Sequence, residues 1–87
     1  MARTAFILIL MGDPERAERL RTALRDTGGH SCRVSTSLAD ALDSIRQRAP
    51  DVVIADGALG GEPTAQPLAD LLDRLARDAT LITVGES

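Results

Sequence analysis

The chain has no lysine, tryptophan or tyrosine, and Phe6 is its only aromatic residue. Single-stranded nucleic acids are held by stacking bases on aromatic rings, so a stacking platform is excluded. Ten arginines against thirteen acids leave a formal net charge of −3, so no overall basic field draws a phosphate backbone. Direct nucleic-acid binding by this segment is not expected. The single cysteine, Cys32, cannot close an internal disulfide, which suits a reducing cytoplasm. No apolar run approaches the roughly 20 residues that cross a bilayer. The apolar part of MARTAFILILM meets Gly12, Asp13 and Pro14 at once instead of the small residues of a cleavage site. It reads as a buried strand, and no membrane contact is expected.

What is present is 44% apolar sequence in 87 residues, enough for one domain over 1–87 that buries about 60 to 65% of its unfolded surface. Leu, Ile, Val and Ala must build its core. Ala5 to Met11 is a continuous aliphatic run, the pattern of a strand covered on both faces. Asp13 followed by Pro14 is an N-cap with proline at the first helical position. Ala17, Leu20 and Leu24 then recur at helical spacing until Gly28 and Gly29 stop the helix. Its wet face offers Glu15 and Arg19 as a four-residue ion pair.

His30 to Ser35 reads as a short edge strand with Cys32 and Val34 inward. Ser37 caps a second helix with an apolar stripe of Leu38, Ala41, Leu42 and Ile45, ending near Ala49 because Pro50 follows. Asp51 to Asp56 is a second fully apolar strand with a carboxylate at each end. GALGGEPTAQ reads as a loop. Pro67 is expected to open a third helix with Leu68, Leu71, Leu72 and Leu75 inward and Asp70–Arg74 and Asp73–Arg77 as surface pairs. Thr80 to Val84 is the last strand.

Strands alternate with helices throughout, which requires right-handed crossovers and an α/β fold: a doubly wound parallel sheet, strand order 2-1-3-4, with helices on both faces. Ligands of such sheets gather at the carboxyl ends of strands where the winding reverses, here between the first and third strands. Asp13 and Asp56 both fall at that rim.

ILILMGDPERAERLRTAL and SLADALDSIRQRAPDVVIADGALGG resemble the first two-thirds of a receiver domain of bacterial two-component response regulators. The specific parts are PDVVIAD, like the family's third strand ending in its phosphoacceptor aspartate, the DP turn into the first helix, and the AL pair of the second helix. The resemblance implies a three-layer flavodoxin-like (CheY-like) fold lacking the family's last strand and helix. It also implies phosphoryl transfer from a histidine kinase to that aspartate. In the family an acidic pair after the first strand holds magnesium, and a switch Thr or Ser and a Lys follow the fourth and fifth strands. Only Asp56 carries over as a phosphoacceptor candidate.

Met11 and Gly12 stand in place of the acidic pair, and Asp13 aligns one position later, an acidic-rim candidate that N-capping explains fully. Gly85 occupies the switch position, with Thr83 and Ser87 nearby, Gly60 replaces a family proline, and no lysine exists. Divalent cations want several oxygen ligands, and phosphoryl transfer is mostly positioning and charge neutralisation. The expectation is a degenerate pseudo-receiver: no catalytic residue, no metal site and no cofactor. It would serve as the N-terminal regulatory and homodimerisation module of a bacterial signalling or transcriptional regulator, of the enhancer-binding type by family analogy. The alternative is a genuine receiver phosphorylated at Asp56 with weak Mg2+ help, and a third reading is a stand-alone adaptor that docks a kinase or ATPase.

His30 has no partner at metal or catalytic spacing, Cys32 reads as a small core residue, and GALGG lacks the phosphate-loop pattern. An open edge at the last strand is expected to invite pairing, and homodimerisation is expected through the surface around the third helix and fourth strand, either by edge-to-edge pairing or by helix packing. The candidate dimer surface is Leu72, Leu75, Leu81, Ile82 and Val84. A downstream output domain or partner protein is the other expected contact.

Overall fold

The computed structural model describes residues 5–59 and 61–84. In chain order the elements are β1 (Phe6–Leu10), α1 (Pro14–Gly28), β2 (Ser31–Ser35), α2 (Leu38–Gln47), β3 (Val52–Asp56), β4 (Ala58–Leu59), β5 (Glu62–Pro63), α3 (Ala65–Leu75) and β6 (Thr80–Val84). Four of the strands form one sheet in the order β2-β1-β3-β6, parallel at every pairing. This is the expected 2-1-3-4 order, with β6 as the fourth long strand.

Alternation along β1 divides the core between two layers. Leu8 and Leu10 face α2 and α3 with Ala41, Ile45, Val53, Ala55, Leu68 and Leu72. Ile7, Ile9 and Met11 face α1 through Ala17, with Leu20, Leu24 and Val34 packed around them. One helix therefore covers one face and two cover the other. No helix among the described residues is long and apolar enough to cross a membrane.

The helix ends follow their local chemistry. Asp13 Oδ1 accepts the amides of Glu15 at 2.9 Å and Arg16 at 3.5 Å, pairing two donors that every helix start leaves orphaned. Gly29, at φ 66°, closes α1 in the left-handed region and donates its amide to the Arg25 carbonyl at 2.8 Å. Ser37 Oγ accepts the Asp40 amide at 3.2 Å at the start of α2. The amino ends of the central strands are fastened by side chains: Asp51 Oδ2 accepts the Phe6 amide at 2.8 Å, and His30 Nδ1 accepts the Ala5 amide at 3.0 Å. The leading carboxylate of β3 is thus a sheet tie, and His30 has a structural partner that its spacing does not reveal.

Several expectations need correction. Part of the segment read as a loop is an antiparallel hairpin, with Ala58 opposite Pro63 and Leu59 opposite Glu62, turned by Gly61 at φ 83°. α3 begins two residues before Pro67, because proline's missing amide costs nothing in the first turn, where no intrahelical acceptor exists. Leu75, the last residue of α3, is 50% exposed, whereas Leu72 is only 4% exposed. Leu72 is therefore core and not part of a docking surface. The pairs Asp70–Arg74 and Asp73–Arg77 do not form among the described residues. Asp70 Oδ1 instead accepts from Gln66 Nε2 at 2.9 Å, as fits the small gain from an exposed ion pair. Glu15–Arg19 does form, at 3.8 Å. The buried hydroxyls of Ser35 and Ser44 make no hydrogen bond to protein atoms among the described residues.

Candidate functional site

The rim where the sheet reverses lies between the carboxyl ends of β1 and β3. β1 runs out into Met11, which is buried at 4% exposure because its side chain continues the inward alternation onto the α1 face. Its amide donates to the Ser35 carbonyl at 3.1 Å. Gly12 follows, exposed, and donates its amide to Asp56 Oδ2 at 3.1 Å. The carboxylate at the tip of β3 is thus half-buried and tied to the backbone that follows β1. Asp13 directs Oδ1 into the first turn of α1, as an N-cap.

The hairpin folds over this rim. A Cβ added at Gly12 would lie 3.0 Å from Leu59 Cδ2, so the space beside position 12 is already taken by an apolar side chain from β4. Thr64, fully buried at the start of α3, holds the hairpin's far end. Its amide donates to the Gly57 carbonyl at 3.1 Å and its hydroxyl donates to the Asp56 carbonyl. With the hydroxyl so used, Thr64 occupies the N-cap position of α3 without capping it through the side chain. Gly57 in turn donates to the Val84 carbonyl at 2.9 Å, joining the rim to β6.

The rim therefore brings Asp56 together with the backbone of Gly12, with Leu59 packed against Gly12 and Thr64 bonded behind Asp56. Asp13 lies beside it with its carboxylate engaged elsewhere. Thr83 sits within β6 opposite Ala55, one residue short of the strand's end. Gly60, Gly85 and Ser87, each weighed against a family position, lie outside the described residues. Among the described residues no three His, Cys, Asp or Glu side chains gather as a metal site. Thr64 and Leu59 escape sequence reading. The one available signal was a threonine standing three residues before Pro67, a spacing compatible with a helix start.

Elsewhere, Cys32 is half-buried against the α1 layer. Burial pushes its thiol above the usual range, and the nearby Arg21 charge opposes that rise. Glu18 is held below its usual value by its hydrogen bond to Arg21. Of the remaining docking candidates, Leu81 packs onto the α2–α3 layer and Val84 onto the α1 layer, while Ile82 is 44% exposed. Leu81 and Ile82 alternate across the sheet, so the residues expected to form one surface are split between its two faces.

The sequence matches no protein-family model and no curated protein. Solved structures do match its fold. A mutant of the MaeR response regulator bound to sulfate is 23% identical, with TM-score 0.82 over 98% of this chain and 70% of that one. A LuxR-family two-component response regulator from an Aurantimonas species is 18% identical, with TM-score 0.79 over 98% of this chain and 62% of that one. The N-terminal domain of a response regulator receiver protein from Methanoculleus marisnigri is 19% identical, with TM-score 0.81 over 98% and 69%. The chain thus spans 62 to 70% of the length of these structures. Its sheet order β2-β1-β3-β6 and these TM-scores of 0.79 to 0.82 establish the architecture: the chain has the fold of a response-regulator receiver domain.

Proposed function

We propose that this chain is a pseudo-receiver, a cytoplasmic regulatory module of a bacterial signalling or transcriptional regulator that works through its surfaces and does not accept a phosphoryl group. The observation that carries this reading is the contact at position 12. Where the resemblance calls for a metal-binding carboxylate there is a glycine whose missing side chain is replaced in space by Leu59. Asp13 is spent on the α1 cap and Asp56 accepts the Gly12 amide. This donor set does not fit magnesium, which demands near-octahedral oxygen ligands. Without a cation, the positioning and charge neutralisation on which phosphoryl transfer depends are missing.

Homodimerisation through β6 completes the proposal. Among the described residues β6 pairs only with β3, so its outer backbone groups are unpaired. TLITV carries no charged residue to guard that edge. Edge-to-edge pairing of two copies would join their sheets about a two-fold axis, with Ile82 of each at the seam. Incubation with a small phosphodonor and magnesium, followed by intact-mass analysis, tests the chemistry. No mass gain is expected. A gain of one phosphoryl group, lost in Asp56→Asn, would overturn the reading in favour of a working receiver.

A further inference from the structure

The open edge of β6 has a hydrogen-bonding order that its two ends fix. Thr80 donates its amide to the Asp51 carbonyl at 3.0 Å, and the Val84 carbonyl accepts from Gly57 at 2.9 Å. Both residues thus turn their backbone groups toward β3, and in a parallel ladder that direction alternates along the strand. Ile82 follows them inward, while the amides and carbonyls of Leu81 and Thr83 point out from the sheet, unpaired among the described residues. Beside this edge lies a groove of ≈ 190 Å³ between α3 and β6. Leu81 floors it, Ala69 and Ala76 line it with little bulk, and Asp73 and Arg77 flank it as unlike charges. Neither of those two is ion-paired among the described residues.

We infer that β6 pairs antiparallel with β6 of a second copy in one register, the two-fold axis passing at Ile82; this rests on the homodimer reading and specifies its contacts. Leu81 then faces Thr83 of the other copy, each exchanging both N–H···O bonds, so every outward group of the edge is satisfied. Ile82 meets its own image as the non-hydrogen-bonded pair, with Cα atoms about 4.5 Å apart, and so covers a side chain that is 44% exposed in the single chain. Opposed residues share a face, so Thr83 of the second copy stands beside Leu81 at the mouth of the α3 groove, where Asp73 and Arg77 cancel in charge. Neighbouring registers do worse. An axis at Leu81 sets Thr83 against Ala79, whose amide is already given to the Ala76 carbonyl at 2.9 Å. An axis at Thr83 puts Leu81 opposite no residue of β6. The sheet's other edge is not self-complementary, because antiparallel pairing of β2 about its middle residue brings Arg33 against Arg33.

Disulfide trapping in the Cys32→Ala background tests the register, since the only thiol is then the one introduced. Ile82→Cys, Thr83→Cys and, as a collision control on the exposed side of α1, Asp26→Cys are equilibrated in glutathione buffer and resolved on non-reducing gels. The wild-type chain is sedimented alongside. Ile82→Cys should form about tenfold more covalent dimer than Thr83→Cys or Asp26→Cys, because Thr83 lies diagonal to its image, beyond the roughly 7 Å Cα limit of a disulfide. Both β6 positions are exposed, so these variants keep the fold, which circular dichroism verifies. With a wild-type chain that sediments as a dimer, linking through Thr83→Cys instead, equal linking of all three, or none, overturns the register and leaves the homodimer standing. A chain that sediments as monomer and links nowhere overturns both.

Discussion

Replacing Thr64 with valine tests whether the rim is braced from behind in the way the geometry implies. The substitution keeps the shape of a fully buried side chain and deletes the hydroxyl that donates to the Asp56 carbonyl. A neutral hydrogen bond contributes about 1 kcal/mol net, and stranding a buried partner raises the cost toward 2 kcal/mol, so about 1.5 kcal/mol is expected. A chain of this length has a total stability of roughly 4 to 13 kcal/mol, so the change is readily measured. Without tryptophan or tyrosine, unfolding in urea is best followed by far-ultraviolet circular dichroism. With a slope of about 1 kcal/mol per molar urea, the midpoint should fall by about 1.5 M, and Tm by roughly 6 to 12 °C. Thr64→Ser keeps the hydroxyl and loses one buried methyl, a cost of about 0.8 kcal/mol. If Thr64→Val were neutral and Thr64→Ser the more damaging of the two, Thr64 would be a core filler and the brace would not exist.

Other expectations follow from the same geometry. Gly12→Ala should lose about 1 kcal/mol by crowding Leu59, and most of that loss should vanish in a Leu59→Ala background, a coupling read from a double-mutant cycle. The Cys32 thiol, raised by burial, should react slowly with an alkylating reagent at neutral pH and accelerate only above the usual thiol range. Because the unfolded chain ionises first, Cys32 should make stability fall as pH rises from the unfolded thiol's pKa toward the higher folded value, a decline absent in Cys32→Ala. Ile82→Lys should convert a β6-paired dimer to monomer in analytical ultracentrifugation, and a wild-type chain that sediments as monomer at high concentration contradicts the dimer.

Much of the architecture is legible in the residues because its signals are local. The aliphatic runs of β1 and β3, the Asp13–Pro14 start and the Gly28–Gly29 stop each act over a few residues, and strict alternation dictates the topology. The hairpin is not legible, since strands of two residues carry no periodicity and Gly60–Gly61 reads equally as a loop. Four leucines in α3 make an apolar stripe wide enough that sequence cannot tell buried Leu72 from exposed Leu75. At the rim, the departure of Met11 and Gly12 from the acidic pair of the family that the chain resembles is legible in the residues. What surrounds Gly12 and Asp56 depends on tertiary approach: Leu59 reaches Gly12 only after the hairpin closes, and Thr64 finds Asp56 only when α3 docks.

Calorimetric titration of magnesium into the chain addresses the central claim most directly. The account predicts no saturable heat up to about 10 mM, since the available carboxylate oxygens do not form a hard-cation site. Saturation with a Kd below about 1 mM, abolished in Asp56→Asn, would contradict it.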